Sequence, residues 1–119
     1  MFQGDNVLLK TIMKRITVKL GKTLFLVKVE NICWIQSERN YIRIHLGKRS
    51  YLLRETLRNF EKKLSAKQFV RINRSIIVNI DLIKELRSHN KSDYRVVLDD
   101  DHSWIWGRRF RENMRQILS

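Results

Sequence analysis

The sequence predicts a mostly β domain of roughly eight to ten short strands, one short helix and a short C-terminal helix. Three observations carry this. Apolar residues alternate with polar ones in brief runs rich in Ile and Val, the period of a half-buried strand. Polar breaks such as "LGK", "HNKSD" and "DDDHS" separate these runs at short intervals, in a chain that has no proline to mark its turns. Only one internal stretch carries apolar residues at spacings of four, three and four, the stripe of an amphipathic helix.

Residues 1–15 read either as a short helix, from Val7, Leu8, Leu9, Ile12 and Met13, or as the remnant of a linker; the domain proper is placed at 16–119. Ile16, Val18 and Leu20 share one parity and form the first strand, "GKT" turns, and "LFLVKV" forms the second. "ICWI" is a short apolar strand, "QSERN" a polar break, and "YIRIHL" alternates Tyr41, Arg43 and His45 against Ile42, Ile44 and Leu46. "GKR" turns into the strand "SYLL". Leu53, Leu57, Phe60 and Leu64 then predict a helix of about three turns. Lys62 and Lys63 near its end suit the helix dipole. After the segment "FVRINRSIIVNI" come strands in "LIKELRS", "YRVVL" and "WIW". Phe110, Met114, Ile117 and Leu118 give the terminal helix.

The 119 residues fit one domain with a modest core. Twenty-five Lys and Arg against 12 Asp and Glu leave a net charge of +13, which favours a polyanionic partner. Nucleic acid ranks first, ahead of a membrane surface or an acidic protein. The charges are threaded through structured segments instead of forming a basic tail, and they thin out where Asp99, Asp100 and Asp101 cluster. Cys33 is the one cysteine, so no intrachain disulfide can form. Its apolar surroundings suit a small buried side chain in a reducing compartment. No signal peptide and no run of membrane-spanning length are expected. Enzyme chemistry has little to stand on. His45, His89 and His102 lack metal-ligand spacing, no glycine-rich phosphate loop occurs, and Ser75 has no evident base. No metal or cofactor is expected.

Three constellations remain. In "FVRINRSIIVNI", Val70, Ile72, Ile76, Val78 and Ile80 are apolar, whereas Arg71, Asn73, Ser75 and Asn79 are polar. A strand sends the two sets to opposite faces. Arg74 breaks the parity, and burying an unpaired arginine is costly. A bulge or tight turn at "NRS" would expose it, leaving an extended segment with a ridge of Arg71, Asn73, Arg74 and Ser75. Arginine offers a donor fork for phosphate or guanine, and asparagine can read adenine. The competing interpretation is an ordinary solvated strand face. "SERNY" reads as a loop tip carrying Arg39 and Asn40, or as a plain connecting turn. In "WGRRFR", Gly107 permits a sharp passage from strand to helix, putting Arg108 and Arg109 at a helix start. Cations are unfavourable there unless an anion meets them; pairing with residues 99–101 is the alternative. Among Trp34, Trp104 and Trp106, Trp34 reads as core, and one of the other two as partly exposed near Arg108.

In this order, "ICWIQSERNYIRIHL", "YLLRETLRNFEKKL", "FVRINRSIIVNIDLIKEL" and "WIWGRRFRENMRQIL" resemble the LytTR family of bacterial DNA-binding domains over residues 16–118. The resemblance implies an elongated assembly of small, mainly antiparallel β-sheets with a short helix. It implies loops that enter successive major grooves of double-stranded DNA at imperfect direct repeats. Carried over by position, the DNA-binding residues are Arg39 and Asn40, then Asn73 and Arg74 with Arg71 on a phosphate or in support, then Arg108 and Arg109. Asn73 stands where the family often has histidine, and Gly107 where it often has serine, so a target sequence does not carry over. The family also implies a cytoplasmic transcription regulator, a dimer on adjacent repeats that is weak or DNA-assisted, and frequent fusion to a receiver or sensor domain. No phosphoacceptor aspartate is expected within these residues. A basic protein-interaction or RNA-binding domain is the alternative function.

Overall fold

The computed structural model describes residues 14–118. The helix or linker expected over residues 1–15 lies outside them as far as residue 13, and Arg15 already belongs to the first strand. The expected alternation becomes ten strands in three antiparallel sheets. β1 (Arg15–Leu20) and β2 (Thr23–Lys28) form a hairpin turned by Gly21, whose φ of 62° suits a residue without a Cβ. The central sheet has the order β5-β4-β3-β7-β6. It contains β3 (Trp34–Glu38), β4 (Tyr41–Leu46), β5 (Arg49–Leu53), β6 (Phe69–Asn73) and β7 (Ile76–Asn79). The third sheet joins β8 (Ile83–Ser88), β9 (Tyr94–Leu98) and β10 (Ser103–Ile105).

The central sheet is covered on both faces. On one, Ile35, Ile42, Ile44 and Ile77 pack with Ile16, Val18 and Val27 of the β1–β2 hairpin and with Leu57 and Phe60. On the other, Trp34, Val70, Ile72, Ile76 and Val78 pack with Val96, Leu98 and Trp106, beside Phe110 and Met114. Ile77 broke the polar parity of its segment because that face too is core. Asn79, counted with the polar set, is buried, but its amide is used. It donates to the Ile32 carbonyl at 2.9 Å and accepts from the Asp81 N–H at 3.0 Å.

Four expectations need correction. The internal helix, α1, spans only Leu57–Glu61, because Leu53 ends β5 and Thr56 caps the helix by accepting from the Asn59 N–H at 3.1 Å. The "QSERN" break shrinks to residues 39 and 40, since Gln36, Ser37 and Glu38 continue β3. Residues 69–80 are a hairpin rather than one extended segment, with a register shift between Arg71 and Asn73 and a turn at 74–75. Of the bulge or turn expected at "NRS", the turn occurs there, and the register shift falls just before it. The terminal helix, Arg108–Gln116, is wound as 3₁₀.

Candidate nucleic-acid interface

The first turn is the two-residue loop between Glu38 and Tyr41. Arg39 takes φ 57°, a left-handed conformation uncommon for a residue with a Cβ. Arg39 and Asn40 are both exposed. Below them Arg43 pairs with Glu38, and that hydrogen bond holds the Glu38 carboxyl below its usual range. The arm under the turn is thereby fixed while the tip stays in solvent.

The second turn is built from inside. Arg71 is only 14 % exposed in its side chain. Its Nε donates to the Asn73 carbonyl at 3.2 Å and its Nη2 to the Arg74 carbonyl at 2.7 Å. Its guanidinium lies 5.0 Å from the Phe110 ring centre, and Glu61 stands 3.7 Å away. Asn73 uses both ends of its amide. Oδ1 accepts from the Ser75 N–H at 2.8 Å, and Nδ2 donates to the Ile105 carbonyl at 3.1 Å. Arg74 is exposed at the tip and forms no ion pair among the described residues. Two of the three polar residues thus shape the turn that presents the third.

The third segment abuts the second. Gly107 donates its N–H to the Ile72 carbonyl at 2.7 Å. Its φ of −69° is open to any residue, so the requirement for glycine is space and not the conformational freedom expected. A Cβ would stand 3.3 Å from Asn73 Cβ and 3.4 Å from Asn73 Cα. Arg108 and Arg109 follow, both exposed. Arg108 does not pair with residues 99–101. Its Nε donates to Asp93 Oδ1 at 3.2 Å, and this bond is the main reason the Asp93 carboxyl is held below its usual range. Asp101 instead pairs with Lys84, and Asp100 with His102.

Strand pairing gathers these segments. β3 runs antiparallel to β7, with Gln36 opposite Ile76, and the Ser37 N–H donates to the Ser75 carbonyl at 2.9 Å. The first two turns therefore lie at one end of the central sheet, and Gly107 docks the third beside them. Of the seven sequence-predicted residues, Arg39, Asn40, Arg71, Asn73 and Arg74 lie at this end, and Arg108 and Arg109 follow the Gly107 junction that docks there. Two others there had no local sequence signal. Arg54, just past β5, sits 5.9 Å from the Tyr41 ring centre beside the first turn. Asp93, from the β8–β9 loop, is brought in only by folding. The tryptophans are less available. Trp34 and Trp106 are buried, and Trp104 is half-buried. Two surface pockets lie elsewhere. One is lined by Lys14, Arg15, Lys28 and Gln68, the other by Leu26, Asn31, Arg49 and Tyr51.

Comparison with known proteins agrees with this fold. The model of the LytTr DNA-binding domain family matches residues 22–119. Sensory transduction protein LytT of Bacillus subtilis (strain 168) is 25 % identical over 104 residues, covering 87 % of this chain and 43 % of LytT. Transcriptional regulatory protein LytR of Staphylococcus aureus (strain N315) is 29 % identical over 101 residues, covering 85 % of this chain and 41 % of LytR. The chain thus spans about two fifths of the length of these relatives. Among solved structures, the LytTr DNA-binding domain of a putative methyl-accepting/DNA response regulator from Bacillus cereus superposes with a TM-score of 0.77. The match has 18 % identity and covers 87 % of this chain and 95 % of that one, a likeness of fold.

Proposed function

The chain belongs to the LytTr DNA-binding domain family, a non-catalytic DNA-binding domain, and on that premise we propose that it reads duplex DNA through the one edge on which Arg39, Asn40, Arg74, Arg108 and Arg109 meet. That convergence is the observation carrying the proposal. Arg39, Asn40, Arg74 and Arg109 enter the major groove or meet its flanking phosphates, and Arg54 adds a phosphate contact beside the first turn. Arg71 and Asn73 act from behind the second turn, because their polar groups are already engaged within the protein. The net charge of +13 supplies affinity by releasing counterions from phosphates.

The full regulator works in the cytoplasm, binds imperfect direct repeats as a dimer that DNA helps to form, and carries a receiver or sensor domain besides this one. The length of the LytT and LytR relatives supports that last point. Among the described residues no helix is long and apolar enough to cross a membrane. RNA binding by base stacking loses support from the burial of Trp34 and Trp106.

The test is selection of bound sequences from a pool of random duplexes across a salt series, followed by Arg74→Ala. A selected direct repeat is expected, with Arg74→Ala costing ~1–3 kcal/mol on that site and much less on random DNA. Equal losses on both would remove Arg74 from base reading.

A further inference from the structure

An acidic side chain on a DNA-facing edge works against phosphate binding, so the place of Asp93 there calls for a reason. The carboxylate is built in. Its side chain is only 15 % exposed, whereas that of Arg108 is 72 % exposed. Asn90 Nδ2 donates to Asp93 Oδ2 at 3.1 Å, and Asn90 Oδ1 accepts from the Asp93 and Ser92 N–H groups, each at 3.1 Å. Arg111 closes the loop from the other side, donating to the Ser92 carbonyl at 2.7 Å with its Nη2 3.7 Å from Asp93 Oδ1. The Trp106 N–H donates to the Tyr94 carbonyl at 2.8 Å, tying this loop to the residue just before Gly107. The carboxylate is thus held from several directions before it meets Arg108.

The contact with Arg108 is specific in its atoms. Asp93 accepts from Nε, and neither terminal nitrogen of Arg108 has a partner among the described residues. An arginine held by Nε keeps its two-nitrogen end free, the end that meets guanine O6 and N7 or two phosphate oxygens side by side. An unheld arginine at this exposure would sample many rotamers and meet any nearby phosphate.

Resting on the DNA-reading role above, we propose that Asp93 is a positioning residue that determines specificity: it holds Arg108 by Nε, aims the free end of the guanidinium at a base edge, and discourages indiscriminate phosphate contact. Asp93 itself touches no DNA in this scheme.

The experiment measures affinity for a selected duplex and for random duplex with four proteins: wild type, Asp93→Asn, Arg108→Ala and the double variant. Thermal melts check folding. Asp93→Asn is nearly isosteric, removes the charge and exchanges one of the two acceptor oxygens for a donor. It is expected to tighten binding to random duplex and to cut the selected-to-random ratio at least about fivefold, the low end for one well-placed base contact. In the Arg108→Ala background the same change should leave the ratio within about twofold, because two residues acting through one contact are not additive. A ratio unmoved by Asp93→Asn overturns the proposal, as does a shift that persists without Arg108. Should Asp93→Asn not fold, Asn90→Ala loosens the carboxylate instead and must move the ratio the same way. A wild-type protein that prefers no duplex overturns the DNA-reading role itself, a result visible before any variant is made.

Discussion

At the scale of single residues, the arginines of this edge divide by what their donors already touch. Arg74 has none engaged among the described residues, whereas Arg71 spends two on the carbonyls of the turn that lifts Arg74. Arg71→Met should therefore destabilise the domain by about 1–3 kcal/mol, the scale for hydrogen bonds from a charged group, as read by a denaturant melt. It should also weaken binding to the selected duplex while leaving the salt dependence of binding unchanged. A salt slope shallower by about 0.9 would instead put Arg71 on a phosphate. The exposure of Arg74 was legible in the sequence, since it interrupts an apolar parity and an unpaired arginine does not stay buried. The inward use of Asn73 was not. Its partner is the carbonyl of Ile105, 32 residues on, which no local pattern announces.

At the scale of elements, the strands were readable because alternation is a local signal, and the helix was overdrawn for a related reason. Leu53 and Leu57 are four apart, as on a helix, but Leu53 is the last residue of a strand paired to Ile42. The Thr56 cap, not the apolar spacing, sets where α1 begins. The junction between β10 and the terminal 3₁₀ helix was legible only as a glycine; its meaning lies in packing against another element. Gly107→Ala should cost about 1–3 kcal/mol through overpacking, since the added Cβ meets Asn73, which is held by its bonds to Ser75 and Ile105. Because the strain falls between the second and third segments, DNA affinity should drop further than stability alone explains. A melt and a binding curve on the same sample check both.

At the scale of the molecule, the two larger sheets meet through an aromatic cluster. Trp34 stacks on His45 with ring centres 3.6 Å apart, and reaches Trp104 at 4.7 Å and His102 at 5.2 Å. His45 Nε2 is buried without a hydrogen-bond partner among the described residues. Burial first, then the charges of Arg43 and His102, push the His45 imidazole below its ordinary value of 6.5. The folded form thus favours neutral imidazole, and the unfolded chain takes up the proton more readily. Stability from His45 is present above pH 6.5 and is lost as pH falls through the folded-state value. The melting temperature should decline as pH falls below 6.5, and His45→Phe, which keeps a ring against Trp34, should flatten that decline. This junction was hidden in the sequence, where His45 is one polar member of an alternating strand.

One pairing in the central sheet differs from its neighbours in how far it reaches along the chain. Most strand pairs join consecutive strands, but β3 meets β7 by bringing Ile35 to Ile77. Contacts between distant residues form late, because closing the intervening chain costs entropy before any pairing offsets it. During synthesis from the N-terminus, a chain with β3, β4 and β5 already made carries Arg39 and Asn40 on a finished hairpin while Arg74 has no place yet. The first two turns of the edge proposed to read DNA are therefore apart until that seam closes, and the third joins them only when Gly107 docks on Ile72.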